Sequence, residues 1–302
     1  MPDRILNPVR VAGIIPARYA SSRFDGKALA LIDGKTLISR VYEKVLSSRC
    51  LNELIVATDD SRIVHEVESF GGKVALTSVE HRCGTERIAE VAKRVDADIV
   101  VNIQGDELLS CGEMIDECVS PLLRDSSLDV STLAVEIKDR GDVANPNVVK
   151  VVRALNGDAL FFSRSPIPNT SFLPIAEVRG GTGIEAGISA GVKPGLEATD
   201  DAGVSAGVNA GAETRAGEAF EGRMTFLRHV GVYGFRRQFL LDFVRLAQTP
   251  LELAESLEQL RILEHGHRIA VVLTNHSCVG VDVPSDIKKA AAFLASLEGA
   301  GA

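Results

Sequence analysis

Two periods alternate along this chain. Val11 to Ile15 is a short unbroken apolar run that stops at Pro16 and reads as a buried strand. Leu37, Ile38, Val41, Tyr42, Val45 and Leu46 then recur at helical spacing, with Thr36 as the N-cap. Leu54 to Ala57 reads as a second buried strand, ending at Thr58-Asp59-Asp60. Ile63, Val64, Val67 and Phe70 mark the next helix, closed by Gly71-Gly72. Lys73 to Leu76 reads as a third strand, and Ile88, Val91, Ala92 and Val95 as another helix. Ile99 to Ile103 is a continuous apolar strand leading into Gln104-Gly105-Asp106-Glu107. Apolar strands separated by helices predict a parallel sheet covered on both faces.

From about Val130 the pattern becomes strand-rich, with Ser131 to Ile137, Val148 to Leu155 and Ala159 to Ser163. Leu251 to Leu263 carries a helical stripe of Leu253, Leu257, Leu260, Ile262 and Leu263. Ile269 to Leu273 follows as a strand, and Pro284 to Leu297 opens with proline at a helix start. The fold class predicted is α/β: an open, mostly parallel sheet with helices on both faces, plus a smaller antiparallel part. Residues 180–222 break the pattern, being rich in Gly, Ala, Glu and Asp, and AGISAGV at Ala186 recurs as AGVSAGV at Ala202. Such composition buries too little apolar surface to offset its ordering entropy, so a disordered insertion is expected there.

The loop after the first strand carries Arg18, Ser21, Ser22, Arg23, Gly26 and Lys27. A buried strand delivering a basic, small-residue loop at its C-terminal end is how an open α/β sheet holds phosphates. The 302 residues carry a net charge of −8, which argues against a general nucleic-acid surface but leaves room for a small anionic substrate. No apolar run approaches a membrane span, and the start of the chain has no apolar signal-peptide core. The 5 cysteines are odd in number and lack CxxC spacing, as free thiols in a reducing cytosol would. A cytoplasmic globule is expected, without nucleic-acid or membrane partners.

Asp106 follows the strand ending at Ile103, at the edge where open sheets bind ligands. A carboxylate there suits Mg²⁺, which takes one or two carboxylates plus substrate phosphates. Asp282, in Gly280-Val281-Asp282-Val283-Pro284, is a second acid before a helix, where a turn or capping role competes with a metal role. Two acids and a basic loop together suggest a metal-bound nucleoside triphosphate. Other nucleotide motifs fail. Gly34-Lys35-Thr36 has the tail of a P-loop, but Leu29 stands where its first glycine must be, and no GxGxxG follows the first strand. Cysteine and histidine spacing suggests no zinc site. Taken by its local sequence, His229 within Arg228 to Tyr233 reads as a structural histidine on a strand.

The motifs IIPARYASSRFDGKAL, ATDD, CGTER, NIQGDE, FFSRSPIP, RHVGVYGFR, LEQLR and GVDVPSDI run in the order seen in the 3-deoxy-manno-octulosonate cytidylyltransferase (CMP-Kdo synthetase) family, which the chain resembles outside 180–222. That resemblance implies a nucleotide-sugar-transferase-like fold, with residues 1–129 binding nucleotide and 130–302 serving sugar binding and dimerisation while returning to the main sheet. It implies that CTP and Kdo, an acidic eight-carbon sugar, give CMP-Kdo and pyrophosphate with Mg²⁺, in a cytoplasmic homodimer that feeds lipopolysaccharide synthesis. By position, Arg18 and Lys27 resemble triphosphate ligands, with Pro16, Ala17, Gly84, Thr85 and Arg87 on the nucleotide side. Asp106 and Asp282 match the metal acids, and with Arg18 and Lys27 they make the catalytic set. Gln104, Arg164, His229, Tyr233, Glu258 and Gln259 resemble the sugar pocket, Arg164 and His229 as partners for the sugar carboxylate.

Some positions depart from the family pattern. Asp25-Gly26-Lys27-Ala28-Leu29 lacks both prolines of the usual loop, Leu108 replaces another, and Cys83 stands where a small polar residue is usual. Losing the prolines predicts a looser unbound loop. Two alternatives stay open at this level: CMP transfer to another acidic sugar, such as a sialic acid or amino-Kdo, and a nucleotide-binding paralogue with weak or no turnover.

Overall fold

The computed structural model describes residues 9–20, 23–109, 111–169 and 225–299. The insertion expected at 180–222 lies outside the described residues. The described residues of 1–169 and 226–302 cluster as one compact unit.

The strands are β1 (Val11–Ala17), β2 (Leu31–Ile32), β3 (Lys35–Thr36), β4 (Glu53–Thr58), β5 (Lys73–Leu76), β6 (Ile99–Asn102), β7 (Glu107–Leu109), β8 (Val130–Glu136), β9 (Lys150–Arg153), β10 (Ala159–Ser163), β11 (Leu227–Arg236), β12 (Ile269–Leu273) and β13 (Cys278–Gly280). The helices are α1 (Leu37–Val45), α2 (Ser61–Ser69), α3 (Gly84–Ala92), α4 (Glu113–Arg124), α5 (Arg140–Ala144), α6 (Arg237–Phe243), α7 (Pro250–Glu255), α8 (Gln259–Glu264) and α9 (Asp286–Gly299). Among the described residues, no helix is long and apolar enough to cross a membrane.

The main sheet runs β10-β9-β11-β6-β1-β4-β5, with β8 added to β11 and β12 to β8. Strands β6, β1, β4 and β5 are parallel, as the apolar runs predict. The strand-rich half joins them through β11, which pairs antiparallel with β6, β8 and β9. Side chains of β1 alternate between two cores: Val11, Ile15 and Ala17 pack with α1, α2, α4 and α9, and Ile14 packs with α3, α6 and α8. Thr36 caps α1, its hydroxyl accepting from the Ser39 N–H at 3.3 Å.

Two expectations need correction. The first strand does not stop at Pro16 but runs through it to Ala17. Pro16 faces the same edge as Ile14, whose carbonyl accepts the last bond from β6, so its missing N–H falls where β6 has already left. The stripe from Leu251 to Leu263 is not one helix. Ser256, at φ +53°, breaks it into α7 and α8, and Leu253 of the stripe is exposed.

Candidate active site

Two short strands bring distant stretches of the chain together. β7 pairs antiparallel with β13, with Gly280 opposite Glu107, and the Val281 N–H then donates to the Asp106 carbonyl at 2.8 Å. This register sets Asp106 and Asp282 side by side at the C-terminal edge of the parallel strands. Lys27 lies against both, its Nζ 2.5 Å from Asp106 Oδ2 and 3.6 Å from Asp282 Oδ1. Arg23 also reaches Asp282 Oδ1, at 3.1 Å. The turn before α9 does not use Asp282 as its cap: Asp286 accepts the N–H groups of Asp282 and Val283 at 3.0 and 3.1 Å. The Asp282 carboxylate is thereby left to face Lys27 and Arg23.

Lys27 is delivered by a tight turn. Its N–H donates to the Phe24 carbonyl at 3.3 Å, and Gly26 sits at φ +68° and ψ 17°, the third position of a type II turn that only glycine fills easily. Gly105 meets a different demand. A Cβ there would stand 2.8 Å from the Pro16 carbonyl oxygen, so the loop after β6 closes on the end of β1 only with glycine.

A cleft of about 1060 Å³ opens over this centre, lined by Pro16, Ala17, Arg18, Lys27, Gly84, Arg87, Gln104 and Asp106 from the sequence-derived set. Arg23, His81, Arg82 and Cys83 line it too, and sequence reasoning gave them no site role. Arg23 was signalled by its place in the basic loop. The other three come from the turn before α3, where Cys83 stood out only as a departure from the family pattern. Burial pushes the Cys83 thiol up to about 12, so it stays protonated. The Arg87 guanidinium is nearly fully buried and paired with Asp59 at 2.7 Å, so it forms the floor of the cleft more than a free cation.

A second cleft of about 920 Å³ is lined by Gln104, Arg164, His229, Tyr233, Glu258 and Gln259 together. Thr85 lies in this cleft rather than the first, donating its hydroxyl to Glu258 Oε2 at 2.6 Å. Gly84 and Gln104 line both clefts, so the two adjoin. Alternation along β11 points His229 and Tyr233 to one face, ring centroids 5.1 Å apart. The Tyr233 hydroxyl is buried with no hydrogen-bond partner, and burial, then the charge of Glu258, holds its pKa well above the usual tyrosine value. A neutral donor left unsatisfied in a cleft is a group for a ligand's polar atom to meet. Three backbone carbonyls, of Glu255, Pro146 and Ser256, hold the Arg164 guanidinium without cancelling its charge.

His229 is uncharged. Burial, then the neighbouring charge of Arg228, pushes its pKa down to about 3. Its Nε2 lies 2.9 Å from Thr132 Oγ1, whose single hydrogen is committed to the Val232 carbonyl at 2.7 Å. His229 therefore donates from Nε2 and keeps Nδ1 as an acceptor, an assignment made from the hydrogen-bond network.

Among the described residues, no three His, Cys, Asp or Glu side chains form a ready metal cage. The chemistry of the Asp106–Asp282 pair nevertheless fits Mg²⁺. Two hard carboxylates, 38% and 48% exposed, converge on one cation and leave open positions for water and phosphate oxygens.

Known proteins resemble this chain over most of its length. The cytidylyltransferase family model matches residues 12–269, which defines the class. A 3-deoxy-manno-octulosonate cytidylyltransferase of Geobacter metallireducens is 46% identical over 93% of this chain and 96% of its own. One of Geobacter sulfurreducens is 43% identical over 93% and 98%. A solved CMP:2-keto-3-deoxy-manno-octonic acid synthetase complexed with CTP superposes with a TM-score of 0.75, at 34% identity over 95% of this chain and 99% of that one. The chain belongs to the 3-deoxy-manno-octulosonate cytidylyltransferase family.

Proposed function

We propose that this protein transfers CMP from CTP to Kdo, releasing pyrophosphate and supplying CMP-Kdo for lipopolysaccharide synthesis. The observation that carries the reading is the junction of the two clefts at Gly84 and Gln104, beside the Lys27–Asp106–Asp282 cluster, in a chain of this family. One cleft is basic and suits a triphosphate. The other offers an arginine, a neutral histidine and an unsatisfied tyrosine hydroxyl, which suit a polyhydroxy acid.

In the reaction the anomeric hydroxyl of Kdo attacks the α-phosphorus of CTP. The new O–P bond forms as the bond to the bridging oxygen breaks; pyrophosphate leaves with that electron pair, and the proton of the attacking hydroxyl is lost to solvent. Little covalent work falls on the protein, so positioning and charge stabilisation dominate. Arg18 and Lys27 stabilise charge on the departing pyrophosphate. Pro16, Ala17 and Gly84 shape the nucleotide floor with the buried Arg87 behind them. Arg164 takes the sugar carboxylate, while Gln104, Tyr233 and His229 bond its hydroxyls. Thr85 holds Glu258, which with Gln259 closes the far wall. Asp106 and Asp282 would hold Mg²⁺, which when bound polarises the phosphoryl group and lowers the pKa of the acceptor hydroxyl. The same reading carries a homodimer in the cytoplasm.

The test is pyrophosphate release by the purified protein with CTP, Mg²⁺ and Kdo, run in competition with a sialic acid and amino-Kdo. Kdo-dependent release with Kdo preferred is the expected result. No release, or a clear preference for another sugar, would overturn the assignment.

A further inference from the structure

Lys27 is the cation at the centre of the site, and the turn that presents it lacks a proline to stiffen it from within. The second position of the Phe24–Lys27 turn is Asp25, where proline would lock the backbone. Its carboxylate also adds negative charge to a loop meant for a polyanion.

The structure supplies a brace from α2. The Arg62 guanidinium lies over the Tyr19 ring, 3.2 Å from its centroid. Arg62 is itself fixed by Asp60, donating from Nε to Oδ1 at 2.9 Å and from Nη2 to Oδ2 at 2.6 Å. Tyr19 touches Gly26 twice. Its carbonyl accepts the Gly26 N–H at 2.9 Å, and its ring end fits so closely that a Cβ on Gly26 would fall 3.0 Å from Tyr19 Cζ. Asp60, Arg62, Tyr19 and Gly26 thus form a line of contacts ending one residue before Lys27. The negative charge of Asp25 also acts on Arg62, after the stronger pull of Asp60.

We propose that Arg62 is a positioning residue for the triphosphate loop: stacked on Tyr19 and anchored by Asp60, it presses Tyr19 against Gly26 and so sets where Lys27 stands. Arg62 lines neither cleft. It acts by lowering the ordering cost of the loop when CTP binds, a cost otherwise charged against CTP affinity. A loose surface ion pair would contribute little. Here the pair matters because it holds an aromatic ring that bears on the turn.

The proposal rests on CTP being the nucleotide, and its test separates the two ideas. Hydrogen exchange over residues 23–29 is compared in unliganded wild type, Arg62→Ala and Arg62→Lys, with CTP kinetics measured on the same proteins. The Asp60 cap on the Arg62 backbone N–H, at 2.9 Å, survives both substitutions. Arg62→Ala should speed exchange of the loop and raise KM for CTP, each by about two- to fivefold, with kcat within about twofold of wild type. Arg62→Lys keeps a cation over the ring and should recover most of both effects. Asp25→Pro, which stiffens the turn directly, should rescue Arg62→Ala in exchange and in KM. Unchanged loop exchange in Arg62→Ala, or a loss confined to kcat, overturns the brace. If wild type itself releases no pyrophosphate, the functional assignment falls while the exchange comparison still decides the brace.

Discussion

Acid should destabilise this protein through His229, and the size of the effect follows from its surroundings. The ring is packed edge-on against Phe162, centroids 5.2 Å apart, and tilted against Tyr233. Burial first, then the charge of Arg228, lowers its pKa from 6.5 to about 3. Above pH 6.5 the ring is neutral whether the chain is folded or unfolded, so its contribution is flat. As pH falls below 6.5 the unfolded chain takes up a proton that the folded protein refuses, and stability drops until the pH reaches about 3. At 1.36 kcal/mol per pH unit, the whole loss is on the order of 5 kcal/mol, and about 2 kcal/mol of it has gone by pH 5. Urea unfolding at pH 7 and pH 5, for wild type and His229→Gln, isolates this part, because glutamine keeps a neutral polar group but cannot titrate. Wild type should lose about 2 kcal/mol more than the variant between those two pH values. The ring's NMR shift should hold steady from pH 7.5 to about pH 5. A titration near 6.5, or equal losses in both proteins, would refute the neutral-histidine assignment. So would a limb in the rate profile between pH 6 and about pH 7 that His229→Gln removes.

Two substitutions test the scaffold. Gly105→Ala sets a Cβ 2.8 Å from the Pro16 carbonyl oxygen; it should cost about 1–3 kcal/mol by urea unfolding and raise KM for CTP, and wild-type values for both would remove that close approach. Arg261 donates to Glu252 at 2.7 and 2.5 Å with both side chains nearly fully buried. Arg261→Leu should cost about 3–5 kcal/mol by leaving the carboxylate unpaired, whereas Arg261→Leu with Glu252→Leu should recover much of it; a single-variant loss under about 1 kcal/mol would contradict the pairing.

The parallel half of the fold was legible because buried strands read as unbroken apolar runs and their helices as clean stripes. Strands β7 and β13 were not, being 3 residues each and without a readable period. Yet they set the site, and only the chemistry of Asp106 and Asp282 hinted at their pairing. The break at Ser256 was hidden because the apolar stripe continues through it, and a positive φ at serine has no sequence signature. Arg62 went unnoticed for a related reason: a charged residue in the first turn of a helix looks solvated until the ring beneath it is seen. The neutrality of His229 depends on what packs around it from distant strands, which local sequence does not reveal.

Two carboxylates far apart in the sequence, Asp106 and Asp282, act as one centre with Lys27. The most direct measurement is Kdo-dependent pyrophosphate release by wild type, Asp106→Asn, Asp282→Asn and the double variant, with unfolding curves showing that each still folds. Each single variant should lose at least about 100-fold in turnover, and the double should fall little further than the worse single. Turnover near wild type in either folded single variant, or losses that multiply in the double, would contradict a shared centre.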